Sequence, residues 1–148
     1  MSVSISTKSF EELSKVELYE ILKLRSEIFV IEQNCVYQDI DSKDLEAFHV
    51  LGYIQDELIG YARCFAPGIY FEEAAIGRVL VKINYRNQGY AHKIMNESVA
   101  EINKKHPQIP IKISAQQYLI EFYEQHDFHP VGEGYLEDGI PHINMIRK

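Results

Sequence analysis

The chain switches several times between two hydrophobic periods. Val3 to Ser6 alternates with period two, as a short strand does. Ser14-x-x-Glu17 has the spacing of a capping box, in which both side chains satisfy orphan N–H groups at a helix start. Leu18, Ile21, Leu22, Arg25, Ile28 and Phe29 then share one helical face. Glu32 to Asp44 breaks that pattern with Asn34, Cys35, Asp39, Asp41 and Asp44, so a polar loop with at most a short helical turn is expected. Phe48 to Ile54 and Leu58 to Phe65 are expected strands around a turn at Asp56-Glu57. Pro67-Gly68 opens a loop, and Ile76 to Val81 is an apolar, β-branched strand. From Gly89 onward Ala91, Ile94, Met95, Ser98, Val99 and Ile102 recur at helical spacing, with Lys104, Lys105 and Pro107 at the end. Pro110 to Ala115 is a strand and Gln117 to His126 a helix. Phe128 to Tyr135 and His142 to Ile146 are the last strands, joined by a turn at Glu137-Asp138-Gly139. The order β-α-loop-β-β-β-α-β-α-β-β is mixed α/β around one sheet.

The junction Arg86-Asn87-Gln88-Gly89-Tyr90-Ala91 carries the most chemistry. It links a strand to a helix, and helix-start N–H groups are unpaired at the positive end of the dipole. Such a turn can bind a pyrophosphate without a metal. Gly89 admits close approach of the main chain, and Ala91 keeps bulk out of the first turn. The P-loop Gly-Lys-Ser/Thr is absent, and a dinucleotide fingerprint would need glycines where Arg86 and Gln88 stand. An ordinary strand-to-helix turn is the alternative.

Composition narrows the class. At 148 residues, 46% hydrophobic and 25% charged, the chain is expected to be one globular domain spanning 1–148. There is no signal-peptide pattern and no run of membrane-spanning length, so a cytoplasmic location without membrane association is expected. A net charge of −7 argues against nucleic acid as a partner and suits a cationic substrate. Cys35 and Cys64 are isolated and are expected to be free thiols. Asp39-x-Asp41-x-x-Asp44 with His49 lacks the glycine and glutamate of a calcium loop, so no metal is expected. No strained nucleophile turn surrounds Cys35, which disfavours a Cys35/His49 hydrolase.

Arg86-x-x-Gly89-x-Ala91 resembles the coenzyme A pyrophosphate loop of the GNAT superfamily of acetyl-CoA-dependent N-acetyltransferases. Gln116 to Phe128 is similar to that superfamily's N-x-x-A-x-x-x-Y-E-K-x-G-F helix, with Gln116, Gln125 and Asp127 where Asn, Lys and Gly are usual. Leu24-Arg25-x-x-x-Phe29-Val30-x-Glu32-Gln33-x-Cys35-x-Tyr37-x-Asp39-x-Asp41-x-x-Asp44, with His49, Ala62-Arg63, Ile76-Gly77-Arg78-Val79 and Glu137 to His142, resembles the ElaA-type branch. The resemblance implies a GNAT acyl-CoA N-acyltransferase fold, a single mixed, mostly antiparallel sheet flanked by helices. It implies acetyl-CoA as co-substrate and direct transfer to an amine in a ternary complex; a non-catalytic acyl-CoA-binding sensor is the alternative.

On that resemblance, main-chain groups of Val79, Leu80 and Val81 pair with the pantetheine arm. Arg86, Asn87, Gln88, Gly89, Tyr90 and Ala91 hold the pyrophosphate, and Gln116 offers an amide to the arm. Tyr123 stands where many members carry the proton donor to the leaving thiolate; packing alone is the bland reading. Glu32, His49 and His142 are candidates for the base and for acceptor binding, weighed against structural roles for each. Arg63 and Arg78 could receive a substrate carboxylate, but buried pairing with Glu32 or the loop aspartates is the stronger reading. The acceptor is expected to be a small-molecule or protein amine, and the last strand pair could support a homodimer.

Overall fold

The computed structural model describes residues 2–148. Seven strands form one sheet in the order β1-β2-β3-β4-β5-β7-β6: β1 Ser4–Ser9, β2 Phe48–Ile54, β3 Glu57–Phe65, β4 Ala74–Val81, β5 Ile111–Gln116, β6 His129–Glu137 and β7 Ile140–Arg147. Every neighbouring pair is antiparallel except β4 with β5. The helices are α1 Lys15–Arg25, α2 Tyr90–Lys105 and the short α3 Ile120–Glu124.

The two faces of the sheet are covered by different helices. On one, Val50, Ala62, Cys64 and Ile113 pack with Ile94, Met95 and Ile102 of α2. On the other, Leu51, Tyr61 and Leu80 pack with Ile21 and Leu24 of α1. Adjacent residues of β2 and β3 thus serve opposite cores, which is why these strands are almost wholly buried and read as continuous apolar runs. α2 lies close to the sheet at Gly52 and Gly60, where an added Cβ would meet Ile94 side-chain atoms at 2.9 and 3.2 Å.

The capping box at α1 is present: Ser14 Oγ accepts from Glu17 N–H at 3.0 Å, and the Glu17 carboxylate accepts from Ser14 N–H at 2.8 Å. The first helical segment does not stay α-helical to Phe29. It widens into a π-helical run, Ser26–Glu32, which carries the chain on to Gln33. The expected helix from Gln117 to His126 is a 3-10 turn, Gln117–Leu119, followed by α3. Among the described residues no helix is long and apolar enough to cross a membrane.

Ile94 is fully buried where α2 meets the two glycines. Ile94→Ala is therefore expected to lose about 2–5 kcal/mol of stability through lost transfer energy and an unfilled cavity. Urea denaturation would register this as a lower midpoint with an unchanged slope.

Candidate active site

β4 and β5 are joined at only two ladder positions, Ala74 opposite Ile111 and Ala75 opposite Lys112. Beyond them β4 pairs with β3 alone and β5 with β7 alone, so the sheet splits near its middle. The split opens a cleft of about 980 Å³. A bulge sharpens it: Arg63 faces Gly77 and Tyr61 faces Leu80, leaving Arg78 and Val79 opposite one residue of β3. Arg78 adopts φ 52, and residues 77–79 are half-exposed within a strand otherwise buried.

From β4 a 3-10 turn, Ile83–Tyr85, leads into the start of α2 through two left-handed residues, Asn87 at φ 62 and Gly89 at φ 85. The main-chain N–H groups of Asn87, Gln88 and Gly89 find no backbone acceptor among the described residues. Among the described residues no side chain caps α2, and its first turn holds no acidic residue. The dipole end is thus left open for an anion. A Cβ on Gly89 would have nothing within 4 Å; the requirement for glycine is the positive φ and the clear space beside it.

The opposite wall comes from the polar face of β5, β7 and β6. Gln116 is in register with His142. His142 Nδ1 lies 2.7 Å from the Ile140 carbonyl, which fixes the proton on Nδ1 and leaves Nε2 as the lone pair when the ring is neutral. Nε2 is 3.5 Å from Glu137, and the Tyr135 ring stacks on the imidazole. Ser114 donates to Glu137 at 3.3 Å and shares a hydrogen bond with the Tyr135 hydroxyl. The chain leaving the π-helical run touches this wall twice: Gln33 accepts from Gln116 at 3.5 Å, and Cys35 Sγ donates to the Asp138 carbonyl at 3.3 Å. Tyr123 enters from α3, 8% exposed, and its hydroxyl has no hydrogen-bond partner among the described residues. Burial, with a contribution from Tyr118, raises its pKa above the ordinary tyrosine value, so it is a neutral O–H donor.

Beneath the cleft three guanidiniums meet three carboxylates. Asp39 accepts from Arg25 Nε at 2.9 Å and Arg78 Nε at 2.7 Å; Asp44 accepts from Arg25 at 2.6 Å and Arg63 at 3.1 Å; Asp41 takes both Nη groups of Arg63 at 2.8 and 2.9 Å. Burial alone would raise the Asp41 carboxyl. Hydrogen bonds from Arg63 and the Lys43 N–H, with the charges of Arg63 and Arg78, outweigh it and hold the group at about 2. Pairing of Arg63 and Arg78 with the loop aspartates is thus what the structure contains.

The expected site residues separate into those in the cleft and those outside it. Val79, Leu80 and Val81, Arg86, Asn87, Gly89, Tyr90 and Ala91, and Gln116, Tyr123 and His142 all line it. Gln88 does not; its side chain is exposed beyond the lining, and only its main chain belongs to the loop. Glu32 lines the cleft, but its carboxylate is bound by both Nη groups of Arg86 at 2.6 and 2.9 Å, which corrects the expectation of a free base or ammonium receptor. His49 is outside the cleft. Its Nε2–H donates to the Asp44 carbonyl at 3.0 Å and Nδ1 accepts from the Tyr61 hydroxyl at 2.5 Å. Burial lowers its pKa, so it is a neutral structural residue rather than an acceptor ligand. Glu137, Ser114 and Tyr37 reach the cleft without having been assigned roles from the sequence. The alternation Ser114, Gln116 along β5 was the available signal for a polar face.

Comparison with known proteins matches residues 12–148 to the acetyltransferase (GNAT) domain. The chain is 42% identical over 139 residues to protein ElaA of Escherichia coli, covering 93% of this chain and 91% of that one. The crystal structure of E. coli ElaA superposes with a TM-score of 0.93 at 39% identity, over 99% of this chain and 100% of the other. An acyl-CoA N-acyltransferase structure from Pseudomonas aeruginosa does so with a TM-score of 0.94 at 36% identity, over 99% and 100%. A GNAT acetyltransferase from Elizabethkingia anophelis, solved with acetyl-CoA bound, shares the fold at a TM-score of 0.69 and 13% identity, over 99% and 97%. The chain belongs to the GNAT acetyltransferase family, in its ElaA-type branch.

The arginine–aspartate network generates a stability prediction. Asp44→Asn removes the carboxylate shared by Arg25 and Arg63, both almost fully buried, and is expected to cost about 3–5 kcal/mol by denaturant titration. Asp41 has a folded pKa of about 2 against about 3.9 unfolded. Its stabilisation is complete above pH ~4 and lost as pH falls toward 2. Asp41→Asn should flatten the acid limb of the stability curve in that window.

Proposed function

We propose that this GNAT family member is an acetyl-CoA-dependent N-acetyltransferase that moves the acetyl group directly to an amine held in the same cleft. The observation that carries the reading is the meeting of three features in one cleft: an edge at residues 77–81 unpaired on the β5 side, an α2 start at Gly89 without a side-chain cap, and Tyr123 with a hydroxyl free among the described residues. An extended, amide-bearing arm finds backbone partners along such an edge, and its pyrophosphate finds N–H donors at the helix start.

Acetyl transfer needs a deprotonated amine, a polarised thioester carbonyl and a proton for the departing thiolate. The bulge on β4 leaves a residue outside the ladder, and main-chain N–H groups beside it are suited to the developing oxyanion. The amine nitrogen forms its bond to the carbonyl carbon as the carbon–sulfur bond breaks. Tyr123, neutral and unpartnered, supplies the sulfur with a proton. His142 accepts the amine proton at Nε2, its tautomer set by the Ile140 carbonyl, and Glu137 stabilises the imidazolium that forms. Glu32 acts through Arg86, orienting the first side chain of the pyrophosphate loop.

A free donor hydroxyl favours turnover over a sensor that only binds acyl-CoA. Tyr123→Phe is expected to lower kcat by roughly tenfold to a thousandfold with little change in acetyl-CoA affinity. Unchanged turnover, measured by thiol release where chemistry limits the rate, would remove Tyr123 from the mechanism.

Gly89→Glu places a charged side chain at φ 85 beside the proposed pyrophosphate site. It should abolish the rise in melting temperature that acetyl-CoA gives the native protein. Equal binding of acetyl-CoA by the variant in calorimetry would break the assignment of the loop.

A further inference from the structure

We infer that the acceptor carries a carboxylate beside its amine, as an amino acid does, and that Arg78 receives that carboxylate. The inference rests on the acetyltransferase reading and narrows its acceptor.

Arg78 is placed unusually. It is a long side chain on a left-handed backbone, φ 52, at the bulge of β4, where an ordinary ladder position would accept any residue without strain. Strained, non-glycine positions of this kind persist where surrounding structure holds them, and bulges beside sites redirect a side chain. Asp39 holds one edge of the guanidinium: its carboxylate accepts from Nε at 2.7 Å and its carbonyl from Nη2 at 3.1 Å. Tyr37 packs over the same group, with its ring centroid 5.7 Å from Cζ. Nη2 lies 3.6 Å from Asp41, beyond hydrogen-bond distance, and Nη1 has no partner among the described residues. The result is an oriented guanidinium in the cleft wall with donors to spare, the geometry that carboxylate recognition uses.

A second observation comes from the adjacent strand. Arg63, 1% exposed and also lining the cleft, has an Nε with no hydrogen-bond partner among the described residues. The three loop aspartates offset the three arginines, and two further cations lie on aromatic rings of the lining, Lys43 over Tyr70 and Lys112 over Phe71. This side of the cleft is therefore hospitable to an anion. The facing wall is the reverse, with Glu137 and His142 placed for an ammonium and its proton. One wall for a carboxylate and one for an amine describe a zwitterion. The rings of Tyr37, Phe65, Tyr70 and Phe71 line the space nearby, which favours an apolar or aromatic side chain on it.

The test pairs L-phenylalanine with 2-phenylethylamine, which differ only by the carboxylate, in thiol-release assays with acetyl-CoA. The native protein is expected to prefer L-phenylalanine by about tenfold to a hundredfold in kcat/KM, the scale of a charged hydrogen-bonded pair. Arg78→Gln should erase that preference mainly through KM for the amino acid. Arg78→Lys, which keeps charge but loses the fork, should fall between and serves as the second variant if the first does not fold. Equal or reversed preference in the native protein, or an equal loss on both amines in both variants, would overturn the inference. Should neither amine release thiol, the transferase reading is what has failed for this pair. Calorimetry on the CoA-saturated protein then decides the Arg78 assignment: tighter binding of N-acetyl-L-phenylalanine than of N-acetyl-2-phenylethylamine, lost in Arg78→Gln, supports it, and equal or absent binding overturns it.

Discussion

The pairing of Arg25, Arg63 and Arg78 with Asp39, Asp41 and Asp44 is the interaction on which the rest of the structure depends. It joins the end of α1, the loop before β2, and the strands β3 and β4. Burying one guanidinium at 0% exposure would be prohibitive alone; here every charge is met by an opposite one with hydrogen bonds in place. A loop that has no periodic structure of its own is thereby held against the sheet. The cleft wall formed by Tyr37 and Arg78 inherits its position from this pairing.

With that wall fixed, the split between β4 and β5 is held open as the middle of the cleft. The strands part after two ladder positions, and beyond them the facing edges of β4 and β5 are not hydrogen-bonded to each other. The segment carrying Glu32, Gln33 and Cys35 touches Arg86, Gln116 and Asp138, so it spans from the β4 side to the β5–β7 side. Seven consecutive π-helical residues set the path of that segment. Such windings are infrequent and recur at functional sites, in keeping with this location.

Local features were legible in the sequence because local physics dictates them. The Ser14/Glu17 box, the limits of β2 and the start of α2 at Gly89 follow from spacing and residue type alone. The family-like motifs also pointed to the residues that line the cleft. What sequence could not convey was pairing at a distance. Glu32 and His49 have the right chemistry for an acceptor site, but Arg86 and Tyr61 claim them, from 54 and 12 positions away. The π-helical winding and the bulge at Arg78 were equally hidden, since neither breaks the hydrophobic pattern around it: a single inserted residue in an apolar strand looks like more strand. The aspartates of the loop read ambiguously for the same reason, as their partners lie on three separate elements.

The parting of β4 from β5 has one more consequence. A continuous sheet of seven strands has two edges, whereas this one has inner edges as well, each a row of backbone groups free to template another strand. Exposed edges of that kind invite aggregation. Here both inner edges line the cleft together with Phe122 and Tyr123 of α3 and the chain around Gln33 and Cys35, so they are partly covered rather than fully presented. Those neighbours limit the width of any strand that could pair with the inner edges.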